Sequence, residues 1–195
     1  MKDSAAEKYC SSSKSDLARS SSSLALKEIL SRTLDFLLKH LKAEAGVMRV
    51  TNQWEDMRST DRGIWRLPQG VPENEQISLG RLVKILSEES DPVIIRDLRN
   101  DPKSRHLGIR WVGSLIAVPI VHKGENVGIF VLLDRKSKGR GRKERFRQGD
   151  LDLMYMITQQ VAPAIVNARL FSNLEEANRN IRRAQDAIVK REKFE

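Results

Sequence analysis

The chain has 195 residues, a formal net charge of +9 and a single cysteine, Cys10. This length suits one domain with an appendage, and the lone cysteine excludes an internal disulfide and a cysteine-based metal cluster. No uncharged apolar run approaches the roughly 20 residues of a membrane-spanning helix, and the N-terminus has no signal-peptide core, so we expect a cytoplasmic protein without a membrane span.

The first half of the chain predicts a leader followed by mixed helices and strands. Residues 1–23 are rich in Ser, Lys and Asp without a hydrophobic period, which predicts a disordered leader. Apolar residues recur at helical spacing from Leu26 to Leu41, which predicts an amphipathic helix. Four further elements are predicted: strands over Gly46–Asn52 and Arg62–Pro68, a helix over Ser78–Ser87 capped by Ser78, and a strand over Pro92–Leu98.

Two apolar runs rich in β-branched residues lie back to back in the second half. Ser114–Val121 and Val127–Leu133 are separated by the polar residues Lys123–Asn126, which is a hairpin signal. Because the runs are continuous and barely alternate with polar residues, we expect both strands to be covered on both faces.

A long helix is predicted towards the C-terminus. Apolar residues recur at helical spacing over Asp150–Phe171, and Asp150 and Asp152 lie where the helix dipole favours negative charge. Pro163 lies inside this pattern. Because the apolar stripe continues on both sides of it, a kink is favoured over a break of the helix.

A second apolar stripe follows the first. Its members alternate spacings of four and three residues, which is typical of a parallel coiled coil, and we expect a homodimer through this helix. The predicted dimerisation residues are Leu170, Leu174, Ala177, Ile181, Ala184 and Ile188.

The predicted order of elements gives an α+β fold, an antiparallel sheet flanked by helices. The phrases PVIIRDLRNDP, SLIAVPIVHKGENVGIFVLLDR and FRQGDLDLMYMITQQVAPAIVNARLF resemble successive signatures of GAF domains, which are small sensory modules of signalling proteins. The resemblance implies that the first and last helices cover one face of the sheet and that a ligand cavity lies on the other. We therefore divide the chain into a leader (1–23), a GAF-like sensory domain (24–171) and a coiled-coil linker (172–195).

The segment NLEEANRNIRRAQDAIVKREKFE resembles the linker that precedes the phospho-accepting helix of many bacterial sensor histidine kinases. Similar linkers precede cyclase and diguanylate cyclase domains. The resemblance implies a downstream signalling domain as a partner, with a histidine kinase as the first choice.

The sequence predicts no catalytic site and identifies no cofactor. His40, His106 and His122 have no Cys, Asp or Glu arranged for a triad or a metal site, and no phosphate-binding glycine motif is present. Within the GAF resemblance, bilin attachment and free methionine sulfoxide reduction need cysteines that the domain lacks. Phe146 and Asp150 partly match the pattern of cyclic-nucleotide-binding members, but a core anchor and a helix-start charge are the favoured roles.

Polar and aromatic residues concentrate just before and within the first strand of the hairpin. Small-ligand pockets combine apolar walls with a few placed polar groups. The predicted ligand-binding residues are Arg96, Asp97, Arg105, His106, Trp111, Ser114, Ile116 and Val118. The sequence does not identify the ligand, and in the alternative interpretation Trp65 and Trp111 fill this space.

The positive charge is concentrated in one segment, Arg135–Arg147. It carries eight Lys or Arg residues against one acid, Glu144, and so accounts for seven of the nine net charges. Phe146 is its only aromatic residue, which argues against a stacking platform for nucleic acid, and a solvated connector is the simpler interpretation.

We therefore favour a small-molecule-sensing and dimerisation module, the regulatory part of a sensor histidine kinase. Two alternatives stay open. One is a basic adaptor that binds nucleic acid or an anionic surface through residues 135–147. The other is a ligand-free GAF transmitter for a cyclase or a transcription regulator.

Overall fold

The computed structural model of the chain describes residues 26–50, 63–136 and 144–192. The predicted leader and most of the basic segment lie outside these residues. The chain divides into two compact units, Ile29–Pro163 on the one hand and Met1–Glu28 with Ala164–Glu195 on the other. None of the described helices combines the length and the apolar character that crossing a bilayer requires.

Helices and strands follow one another in the predicted order. The elements are α1 (26–40), β1 (Ala43–Val50), β2 (Gly63–Arg66), α2 (Glu73–Ser87), β3 (Val93–Ile95), a 3₁₀ turn (Arg105–Leu107), β4 (Leu115–His122), β5 (Glu125–Arg135) and α3 (Gln148–Glu192). The α+β class predicted from the sequence is confirmed.

The five strands form one antiparallel sheet in the order β2-β1-β5-β4-β3. Strand β5 lies at the centre, paired along most of its length with β1 on one side and β4 on the other. Residues 115–120 of β4 and 127–134 of β5 are all buried. Coverage of the hairpin on both faces is therefore confirmed.

The hairpin turn is tighter than predicted. Lys123 and Gly124 are the only two residues between β4 and β5, and both have positive φ, 50° and 83°. Positive φ at both central positions defines a type I′ turn, whose twist matches the twist of the paired strands. Glu125 and Asn126, predicted as part of the turn, instead pair with His122 and Val121 at the start of β5.

One face of the sheet packs against α2. Apolar residues at odd-numbered positions of the central strands form a single buried cluster with the apolar residues of that helix, because alternate side chains of a strand point to the same face. Trp65 and Trp111, half-buried, pack against the edge of this cluster. The members contributed by α2 are Leu79, Leu82, Val83 and Leu86.

The other face packs against α1. A Cβ placed on Gly46 would lie 3.0 Å from Leu132 of β5 and 3.0 and 3.1 Å from Leu34 and Leu38 of α1. The absence of a side chain at Gly46 therefore lets α1 approach the sheet closely. Phe130 is two residues from Leu132 on β5, lies on the same face and is fully buried.

Two helix predictions need comment. Helix α2 begins at Glu73 after Pro72, so the predicted start at Ser78 was wrong. Proline is tolerated at a helix start, and Glu73 and Glu75 complement the helix dipole there, which extends the helix by one and a half turns. Helix α3 continues on both sides of Pro163, so a break at that proline is excluded.

Candidate functional site

A cleft of about 950 Å³ lies at the end of the sheet where β4 begins and β5 ends. Four chain segments line it: the turn after β3, the residues before β4, the end of β5 and the residues that lead into α3. The lining residues are Arg96, Asp97, Arg99, Asn100, Gly113, Ser114, Asp134, Glu144, Arg145, Phe146, Arg147 and Gln148.

Asp134 organises the floor of the cleft. This residue is 1 % exposed, and its carboxylate accepts hydrogen bonds from the backbone nitrogens of Gly113 (3.0 Å) and Ser114 (2.8 Å) and from the Ser114 hydroxyl (3.2 Å). Its own backbone nitrogen donates to the Ser114 carbonyl at 2.9 Å. Because a buried carboxylate is stabilised by such donors, Asp134 fixes the entry of β4 against the end of β5.

Asp97 holds the turn after β3 in a similar way. The side-chain amide of Asn100 donates to Asp97 Oδ2 at 2.7 Å, and the backbone nitrogen of Arg99 donates to Oδ1 at 3.1 Å. These hydrogen bonds, the one from Asn100 first, hold the pKa of Asp97 below its usual value. Asp97 is therefore negatively charged at neutral pH, and its charge is engaged within its own turn.

Arg135 connects the end of β5 to the start of α3. Its Nη1 donates to Asp150 Oδ2 at 2.9 Å, and its Nε lies 3.3 Å from Glu144 Oε2. Asp150 also accepts a hydrogen bond from the backbone nitrogen of Arg147 at 2.7 Å, which caps the first turn of α3. The helix-start role predicted for Asp150 is confirmed, as is the core role of Phe146, which is 3 % exposed.

Three of the eight predicted ligand-binding residues come together in the cleft, namely Arg96, Asp97 and Ser114. Arg105 and His106 lie in the exposed 3₁₀ turn and do not line it. The polar residues directly after β3 therefore belong to the cleft, whereas those of the 3₁₀ turn do not.

The other three predicted residues lie in two different places. Ile116 and Val118 are fully buried on the α1 face of the sheet, opposite Leu132 and Phe130. Trp111 packs against the α2 cluster on the other face, and its indole nitrogen is buried with no hydrogen-bond partner among the described residues. The expected wall of Trp111 beside Ile116 and Val118 is therefore not formed: alternation along β4 turns Ile116 and Val118 towards α1, whereas Trp111 precedes the strand and packs against the α2 cluster.

Several lining residues were not predicted from the sequence. Asp134 carried a usable signal, since it is a charged residue directly after the uncharged run Val127–Leu133. Arg145 and Arg147 were assigned to a solvated basic segment, and nothing in the local pattern separates them from its other cations. Only the fold shows that the end of this segment lies beside the turn after β3.

The histidines are dispersed in the described structure. His40 donates from Nδ1 to the Phe36 carbonyl at 2.9 Å and stacks on the Phe36 ring with centroids 3.8 Å apart. In residues 26–50, 63–136 and 144–192, no group of three or more His, Cys, Asp or Glu side chains could hold a metal ion.

Asp134 gives a direct test of how the cleft is held. Asp134→Ala should destabilise the protein by about 2–4 kcal/mol, because the buried backbone N–H of Ser114 and the partly buried N–H of Gly113 lose their acceptor. Asp134→Asn is the matched control. It keeps one carbonyl oxygen and tolerates the φ of 43° at this position, so about 1 kcal/mol is expected. Urea unfolding measures both, and equal losses in the two variants would contradict the assigned role.

The comparisons with known proteins agree with this fold. A family model described as "GAF domain" matches residues 23–166. The chain belongs to the GAF domain family. No curated protein matches it significantly.

Solved GAF structures share the architecture at low sequence identity. The GAF domain of a phosphoenolpyruvate-protein phosphotransferase from Coxiella burnetii superposes with a TM-score of 0.54 at 18% identity, over 76% of this chain and 86% of that chain. The corresponding domain from Acinetobacter gives a TM-score of 0.53 at 14% identity, over 74% and 84%. A domain of a protein from Sinorhizobium meliloti 1021, described as a two-component sensor histidine kinase, gives 0.51 at 16%, over 78% and 96%.

Proposed function

We propose that this GAF domain is a small-molecule-sensing and dimerisation module that regulates an attached signalling domain and does not itself catalyse a reaction. The observation that carries the proposal is the apolar stripe of α3, which remains exposed in the single chain. Leu170, Leu174 and Ile181 are 55 %, 62 % and 54 % exposed, and Ala177 and Ala184 of the same stripe are also exposed. The side chain of Ile188, the sixth predicted member, lies outside the described part.

Exposure of this stripe favours pairing with a second copy. Burying a leucine or isoleucine side chain contributes roughly 1.5–3 kcal/mol, and the spacing of four and three residues keeps the stripe on one side of an underwound helix. In a parallel pair, a second copy of α3 places the same apolar residue beside each member of the stripe. We therefore propose a parallel coiled-coil homodimer through Leu170, Leu174, Ala177, Ile181, Ala184 and Ile188.

A sensor histidine kinase is the proposed context of the module. The likeness of the C-terminal segment to kinase linkers supports it, as does the fold shared with the domain from the Sinorhizobium protein. The sensing role rests on the cleft at the end of the sheet, whose lining includes Arg96, Asp97 and Ser114. A ligand there would regulate the output only through different affinities for two arrangements of the domain.

The dimer is tested by removing the stripe without changing net charge. Leu174→Ser/Ile181→Ser should raise the dimer dissociation constant at least a hundredfold, about 2.7 kcal/mol, because two apolar residues of each chain leave the seam. The measurement is sedimentation equilibrium over a range of protein concentrations.

A second pair of substitutions provides the control. Glu176 and Arg183 are exposed, lie one heptad apart and belong to neither seam position. Glu176→Ser/Arg183→Ser removes one charge of each sign and should leave the dimer intact. An unsubstituted protein that sediments as a monomer at tens of micromolar would show that the stripe serves another purpose.

A further inference from the structure

The arginines of the cleft differ from its acids in how they are engaged. Each of the three acidic residues in the lining is held by neighbouring groups: Asp97 by Asn100, Asp134 by Gly113 and Ser114, and Glu144 by Arg135. These contacts fix the positions of the three carboxylates within the lining.

Three of the four arginines have no such partner. Within the described residues, the guanidinium groups of Arg96, Arg145 and Arg147 make no hydrogen bond or ion pair, and all three side chains are exposed. The fourth, Arg99, donates from Nη2 to the Arg110 carbonyl at 3.1 Å, and its charge also helps to lower the pKa of Asp97. With four arginines against three acids the lining has a net charge of +1, and three of its guanidinium groups are exposed.

These cations come from two separate parts of the chain. Arg96 and Arg99 belong to the turn after β3, and Arg145 and Arg147 precede α3. Arginines on a single solvated segment spread apart because like charges repel. Here the hydrogen bonds of Asp97 hold the turn after β3, the ion pairs of Arg135 hold the residues that lead into α3, and both segments line one cleft, so their arginines contribute charge to the same site.

We propose that this cleft binds a small organic phosphate, with its phosphate group between the turn after β3 and the residues that lead into α3. Guanidinium groups match phosphate oxygens in bidentate geometry and keep their charge at all physiological pH values. A cleft of about 950 Å³ leaves room for the rest of a small molecule beside the phosphate. The inference rests on the proposed sensing role and names the chemistry of its ligand.

Binding of the phosphate group is tested with pyrophosphate, titrated calorimetrically into the full chain at constant ionic strength. One site per chain is expected. Arg96→Gln/Arg145→Gln/Arg147→Gln should weaken binding at least tenfold, because three of the donors to the phosphate lose their charge.

The control removes the same charge elsewhere. Arg81, Lys84 and Arg105 are exposed and do not line the cleft. Arg81→Gln/Lys84→Gln/Arg105→Gln should leave the dissociation constant within twofold of the unsubstituted value. Equal weakening in both triple variants would reduce the effect to overall charge and overturn the proposal, as would the absence of binding at 10 mM pyrophosphate.

Two further measurements separate this proposal from others. A short single-stranded oligonucleotide that binds while pyrophosphate does not would assign the arginines to nucleic acid and overturn the proposal. Sedimentation of Arg96→Gln/Arg145→Gln/Arg147→Gln should give the same dimer as the unsubstituted chain. A dimer that binds no pyrophosphate would refute the phosphate site alone, whereas a monomer that binds pyrophosphate would refute the proposed dimer and leave the site standing.

Discussion

Gly128→Ala is expected to destabilise the protein by about 3 kcal/mol or to prevent folding. A Cβ at this position would lie 2.7 Å from the Arg49 carbonyl oxygen, 3.1 Å from Ile120 Cδ1 and 3.3 Å from Val50 Cα. Two of these three atoms belong to the backbone of β1, which cannot move away without breaking its ladder with β5. Overpacking of this kind costs about 1–3 kcal/mol and occasionally more, and a clash with backbone belongs at the upper end.

Gly149→Ala is the matched control for the same added methyl group. Gly149 lies in the first turn of α3, where a Cβ would meet nothing within 4 Å. Alanine is favoured over glycine in a helix, so stability should be unchanged or rise by up to about 1 kcal/mol. Urea unfolding at one protein concentration gives both values. A small effect at Gly128 would mean that β1 and β5 are less closely paired than the structure indicates.

Phe130→Ala should lower the free energy of unfolding by about 3–5 kcal/mol. Phe130 is the largest of the fully buried side chains in the described part of the chain, and its neighbours across the sheet are Met48 on β1 and Val118 on β4. Loss of its ring removes apolar contact and leaves a cavity in the centre of the α1 face, because paired strands on both sides prevent collapse.

The size of the cavity is tested by a graded substitution. Phe130→Leu keeps most of the apolar volume and should cost about 1–2 kcal/mol. Thermal and urea unfolding should rank unsubstituted, leucine and alanine variants in that order. If the alanine variant loses less than the leucine variant, the ring is strained in its site and the packing argument fails.

The fold was predictable because its strongest sequence patterns are local. The uncharged runs of β4 and β5 are buried on both faces, and continuous apolar runs of that length indicate this directly. Element ends were less predictable. The start of α2 depends on Pro72 and on two acidic residues, whereas the predicted cap, Ser78, is an interior residue that local chemistry does not distinguish from a true cap.

The candidate site was predictable only in part, for a different reason. Arg96, Asp97 and Ser114 lie on segments next to strands, so their proximity follows from the order of elements. Which face a side chain takes depends on register, and a shift of one residue reverses it. The same limit applies to Arg145 and Arg147, whose place in the cleft with Arg96 depends on how the start of α3 packs against the end of β5.

The pairing of Arg135 with Glu144 also bears on how this domain can vary or be engineered. The two residues form an isolated antiparallel β-bridge in addition to their ion pair. The two ends of the segment between them are therefore held close together. Lengthening the chain between two points that are already held costs little free energy, about 0.6 kcal/mol for each doubling of a flexible connection. The interval between Arg135 and Glu144 is therefore a natural insertion point, where a fluorescent reporter or an affinity tag can be introduced while the sheet and the start of α3 keep their arrangement.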